Sequence, residues 1–281
     1  MRGGSPIPGR LARIAGVLVL VLATGGWDRP VIRHVAWRAM TFYPEDLARQ
    51  VQRHHDRYEA GIRAGLALPP AWRAAGPGRL EAALEHQARL CRQSILKPEP
   101  LAHLVERLGT LAVLVCDAND PLAVSDADRA EARYAAEWLH YGGSVLGRVR
   151  LVYYGQDRRL VESGDLNTFV QGIFGRSREL YPFVGEEFLR GGDLRGWRQI
   201  DDRSVAFGVA GVAMSHAMTD LANLATWVWV SGGGVRPTPR PTPSGHAGPT
   251  VTVLLDGGLP ERHQPRSGNP AMPPKRLRVP R

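Results

Sequence analysis

Cysteine and lysine are both scarce in this 281-residue chain, with two of each: Cys91 and Cys116, Lys97 and Lys275. Two cysteines cannot staple a disulfide scaffold, and the lack of a CxxC pair removes a redox motif and a zinc ribbon. Both thiols lie on apolar helical stretches, so a disulfide between them and two packed free thiols are both open readings. Also missing are a GxSxG elbow, a phosphate-binding GxxxxGK[ST] loop, a GxGxxG fingerprint after a strand and an HExxH pair. Serine hydrolase, NTPase, dinucleotide-enzyme and zincin readings therefore have no motif to rest on. No period-2 run of any length occurs, and no internal repeat.

Positive charge is plentiful but not where a nucleic-acid groove needs it. Of the net charge of +9, Arg2, Arg10 and Arg13 supply one part, and eight Arg/Lys against Asp256 and Glu261 in residues 235–281 supply the rest. The charges of residues 27–234 cancel, so a basic groove spread over the body is not supported and nucleic acid is not an expected partner of the core. Hydrophobic residues at 43% and charged residues at 22% are ordinary globular values. The body can bury a real core as one medium domain.

The two ends differ from the body. Three arginines and no acid precede an apolar run at 14–24, closed by Gly25 and Gly26. This is the pattern of a secretory signal peptide over residues 1–26, cleaved before Trp27. The run is well short of the roughly 20 residues of a membrane span, so a retained anchor is the lesser reading. Export would place the body in the periplasm or outside the cell. Residues 235–281 hold eleven of the 22 prolines. Such a stretch cannot sustain helix, and apart from 251–255 it has little apolar surface to bury, so it reads as an extended Pro/Arg-rich disordered tail. Its charge suits anionic envelope polymers or lipid, although a solvated tail without a partner is the plainer reading.

The body reads as all-α. Pro30 suits a first helical turn, and Pro44 starts a helix to about residue 64. A Pro/Gly linker through Pro69, Pro70 and Pro77 leads to a helix at 79–94, and Glu99-Pro100 opens one that ends near Asp117. Ser125 and Asp128 resemble a capping box for a helix running to about 152. Helical character returns at 167–189, interrupted at Pro182. Asp201 or Asp202 caps a long final helix at 203–230, stopped by Gly232-Gly233-Gly234. That helix is apolar on nearly every side, which marks it as the central helix. The rival reading as a membrane span fails on one stripe, His216, Asp220 and Asn223 at i, i+4 and i+7, beside Ser215 and Thr219. His216 and Asp220 project from one face and could share a metal ion, or His216 could simply be a buried, hydrogen-bonded core histidine. Asp117 sits where its helix has become apolar all round, so its carboxylate is expected to point into an enclosed space.

The start at Trp27, the early His34, the all-α order and the segment Leu108-Gly109-Thr-Leu-Ala-Val113-Leu-Val-Cys-Asp117-Ala-Asn-Asp-Pro121-Leu-Ala123 resemble the zinc-dependent phospholipase C and P1 nuclease superfamily. In that family the amino group and carbonyl of an N-terminal Trp bind zinc, and a helix of the form LGxxxHxxxDxxxPxH supplies further ligands. The resemblance implies zinc as cofactor and a phospholipid or another phosphodiester as substrate, hydrolysed by metal-activated water. It places metal ligands at Trp27, His34, His86, Asp117 and Glu137. It is also incomplete. Val113 and Ala123 stand at histidine positions, Pro70 at an aspartate position and Arg133 at the histidine paired with Glu137. Two functions follow: an exported phosphodiesterase with a reduced metal site, or a noncatalytic pseudoenzyme acting as an envelope binding or scaffold protein. The lost ligands favour the second.

Overall fold

The computed structural model describes residues 26–73, 77–97, 99–125, 131–235 and 252–253. The expected leader, apart from Gly26, and the expected tail, apart from Val235, Thr252 and Val253, lie outside the described residues. Ten α-helices succeed one another there: α1 Arg29–Ala39, α2 Glu45–Arg53, α3 His55–Leu66, α4 Pro70–Arg73, α5 Pro77–Leu96, α6 Leu101–Ala118, α7 Glu131–Val145, α8 Arg158–Ser163, α9 Leu166–Phe188 and α10 Val205–Ser231. Two short strands, β1 Val152–Tyr153 and β2 Thr252–Val253, pair antiparallel. The body is all-α, as its periodicity indicates.

α10 is the centre. Its alanines at 206, 210, 213, 217, 222 and 225 are buried and offer little bulk, so α1, α5, α6 and α9 all pack directly against it. By length and composition this helix could cross a membrane, yet 67% of its most apolar window is buried among the other helices. Its cap is Ser204, whose hydroxyl accepts from the Phe207 amide at 3.1 Å. Asp201, an expected cap, instead turns the preceding loop by accepting from the Arg203 amide at 2.9 Å.

α6 is the second organiser, buried on all sides from Leu111 to Ala118. It lies along α3 at glycine contact distance. A Cβ on Gly61 would collide with the Glu106 carbonyl, and one on Gly109 with the Tyr58 carbonyl. The Thr110 hydroxyl uses that closeness to donate to the Gly61 carbonyl at 3.0 Å. Bringing α3 onto α6 in this way breaks the single helix expected at 44–64. His54, at φ −112° and ψ 37°, separates α2 from α3. The break lets Tyr58 turn inward, fully buried, with its hydroxyl 3.4 Å from that of Tyr43.

Two other expectations are corrected, and the open reading of the cysteines is decided. The helix expected from Ser125 to about 152 ends at Val145, because the chain beyond it is drawn out along α10. Pro182 does not interrupt α9. It falls on an exposed stretch, where the carbonyl that loses its partner can be hydrated, while Val184 and Phe188 beyond it stay buried in the core. Cys91 and Cys116 are both free and buried, and burial pushes both thiols up, away from reactivity.

Candidate functional site

Asp117 stands near the end of α6, where the sequence has no polar side left, and its side chain is fully buried. A lone carboxylate there would be intolerable. Its partner comes from α4. Arg73 donates through Nε to Oδ2 at 2.7 Å and through Nη2 to Oδ1 at 2.9 Å, a bidentate pair of which the guanidinium side is only 9% exposed. Arg73 also reaches back to the Leu66 carbonyl at 3.4 Å, which ties the short α4 to the end of α3. Burial pushes the Asp117 carboxyl up to about 6, against the pull of the guanidinium, so the pair is ionised at neutral pH.

The amino-terminal end of the body packs over this pair and completes a buried polar cluster. Gly26 has φ +111°, a conformation that favours glycine, and a Cβ there would run into Asp117 Oδ1. Trp27 follows, fully buried, its ring 5.0 Å from that of Trp138 on α7. It fits there because Gly142 offers no Cβ against the indole. One turn beyond Asp117, the buried Asp120 accepts from Trp138 Nε1 at 3.0 Å and from the Leu122 amide at 3.1 Å. Burial pushes its carboxyl up to about 7. Trp27 Nε1 is buried without a hydrogen-bond partner among the described residues.

Of the five residues assigned to a metal by the resemblance, two belong to this buried cluster: Trp27 and Asp117. His34 is half-buried on α1. His86 is exposed on α5, in an open groove of about 500 Å³ with Glu81, Glu85 and Arg89. Glu137 accepts from the Trp197 amide at 2.7 Å and so holds the 3₁₀ turn Trp197–Gln199 against α7. Among the described residues no group of three or more His, Cys, Asp or Glu is placed to hold a metal ion. Zinc, implied by the resemblance, does not fit this donor set, since Asp117, the one carboxylate of the cluster at an assigned position, already has both oxygens on a guanidinium.

The polar stripe of α10 is also spoken for. Asp220 accepts from Arg176 Nη2 on both oxygens at 2.9 Å, and Asn119 Nδ2 adds a third bond at 3.1 Å. Burial pushes the Asp220 carboxyl up, opposed by Arg176 and Asn119. His216 is half-buried with its ring 4.6 Å from that of Tyr154. Desolvation, followed by the nearby Arg176 charge, lowers its pKa to about 4, so the imidazole is neutral at pH 7. The other three members serve backbone. Ser215 Oγ accepts from the Val152 amide at 3.1 Å, Thr219 Oγ1 from the Tyr154 amide at 3.1 Å and Asn223 Oδ1 from the Asp157 amide at 2.9 Å.

Arg73, Asp120 and Arg176 are the residues that sequence reading missed. Asp120 had a signal, its i, i+3 spacing from Asp117 in an apolar stretch; the two arginines are remote in sequence from their partners and had none. Comparison with models of known protein families and with characterised proteins gives no match.

Proposed function

We propose that the protein is a noncatalytic relative of the phospholipase C and P1 nuclease type, exported to the envelope and acting there as a helical binding or scaffold body. The observation that supports this reading is the Arg73–Asp117 pair. A fixed guanidinium supplies the positive charge that a metal would otherwise bring to Asp117. It cannot lower the pKa of a bound water or leave an open coordination position for a phosphodiester. Such an exchange keeps the fold and its buried amino-terminal Trp while removing the chemistry. Export rests on the leader pattern, and removal of residues 1–26 would leave the Trp27 amino group beside Asp117.

The test is hydrolysis of a chromogenic phosphodiester by the purified chain, with and without added zinc. The expected result is a rate equal to buffer alone in both, unchanged by chelator. Zinc-dependent turnover that is retained in Arg73→Lys but abolished by His34→Ala would restore the enzyme reading with a reduced metal site.

A further inference from the structure

Three of the seven large hydrophobic side chains exposed among the described residues, Phe183, Leu194 and Val205, surround one buried acid, Glu187. Phe183 stands one turn before Glu187 on α9. Glu187 Oε2 accepts from the Val205 amide at 3.2 Å, which sets the first residue of α10 beside it. Its other oxygen holds the Arg195 guanidinium. The Arg195 amide donates to the Phe188 carbonyl at 2.8 Å, so Leu194 is fixed next to the end of α9. Gly191 and Gly192, at φ +74° and +89°, make the reversal that brings it back.

This apolar face is held in place from below. Val184, Phe188 and Ile200 are buried in the core, whereas Phe183, Leu194 and Val205 are 45%, 44% and 48% exposed. An ion pair with Glu187 at its centre ties three separate stretches of chain into one surface, so little ordering is left to be done on contact. An apolar patch rimmed by polar groups marks an interaction site.

The charges around it decide what it meets. Between 183 and 205, apart from the Glu187–Arg195 pair and Asp202, which holds Arg148, the exposed charges are Glu186, Asp193 and Asp201 against Arg190, Arg198 and Arg203. α7 adds one of each sign, Arg133 on the Gly192 carbonyl at 3.1 Å and Glu137 on the Trp197 amide. A rim with equal numbers of both signs has no net attraction for a polyanion or an anionic lipid surface. It does match an identical rim turned through a two-fold axis, where acids face bases. We propose that this face joins two copies of the chain about such an axis, with Phe183, Leu194 and Val205 at the centre and the mixed charges around them. The inference goes beyond the reading of a noncatalytic body and does not rest on it.

The test is sedimentation velocity of the full chain from about 1 to 100 μM. The expected result is a dimer that dissociates on dilution, and Phe183→Ser should weaken it at least about tenfold with the helical spectrum unchanged. Two charge variants provide a second readout. Arg190→Glu with Arg203→Glu leaves a rim of acids, and Glu186→Arg with Asp193→Arg leaves a rim of bases. Each should be monomeric alone, through repulsion across the axis, and an equimolar mixture should form the heterodimer. Only folded chains can pair in this way, so the mixture decides the matter even where Phe183→Ser disturbs the body. A wild-type chain that is monomeric throughout, whether or not it binds phosphatidylglycerol vesicles, overturns the proposal. So does a dimer that all three variants leave intact, or a mixture that associates no better than its two components.

Discussion

Arg73 and Asp117, 44 residues apart in sequence, meet in a bidentate pair from which water is almost wholly excluded. Ion pairs of this kind are poor sources of net stability but costly to break on one side only. Arg73→Met should cost about 3–5 kcal/mol by leaving the Asp117 carboxylate unpaired in the core. The double variant Arg73→Met, Asp117→Leu should recover most of that loss. Urea denaturation of the four proteins in a double-mutant cycle checks both statements, and an Arg73→Met cost below about 1 kcal/mol would mean the pair is not buried as described.

Asp120 should behave in the opposite sense from an ordinary surface acid. Its folded-state pKa, about 7, lies above its ordinary value of 3.8, so its favourable contribution is fully present below pH 3.8 and is lost as pH rises through 7. Asp120→Asn keeps an oxygen for Trp138 Nε1 and the Leu122 amide while removing the charge. The variant is expected to match the wild type near pH 4 and exceed it at pH 8. Equal stability of the two at both pH values would contradict the assignment.

His216 gives the complementary dependence. Its folded-state pKa of about 4 lies below its ordinary 6.5, so the stability tied to the neutral imidazole is present above pH 6.5 and lost as pH falls toward 4. His216→Phe keeps an aromatic ring against Tyr154 and cannot charge. Between pH 6.5 and 4 the wild type should lose more stability than this variant, a difference that cancels the carboxylates common to both. Thermal melts across that range decide it.

The α3–α6 contact predicts a steep response to a single methyl. Gly61→Ala places a Cβ against the Glu106 carbonyl and should cost about 1–3 kcal/mol or more through helix separation. Gly78→Ala, where a Cβ meets nothing, is the control and should be neutral or mildly stabilising. Similar melting temperatures for the two variants would show that the helices yield freely.

What the sequence discloses follows from the range of the forces involved. α6 and α10 are legible because apolar periodicity and end signals are local, and the enclosure of Asp117 is legible because its neighbours leave no polar face. Arg73 is not, since an arginine in a Pro/Gly linker reads as solvated until the fold brings it to α6. The stripe on α10 is visible as polar atoms needing partners, but i, i+4 spacing fits a metal ion, a core hydrogen bond or a strand amide equally well. β1 is too short for a period-2 signal, and its extended shape is imposed by α10. Gly61 is visible in the sequence as a glycine inside a helix, but its meaning depends on Glu106 and Gly109 being opposite, a fact of tertiary structure.

The Arg73 guanidinium neutralises Asp117, a charge that needs no metal ion beside it. Elemental analysis of the purified full-length chain, before and after exhaustive chelation and with folding followed by circular dichroism, tests it most directly. The expected result is far less than one zinc per chain at the start and an unchanged helical spectrum afterwards. Near-stoichiometric zinc whose removal unfolds the protein or exposes Trp27 would contradict it.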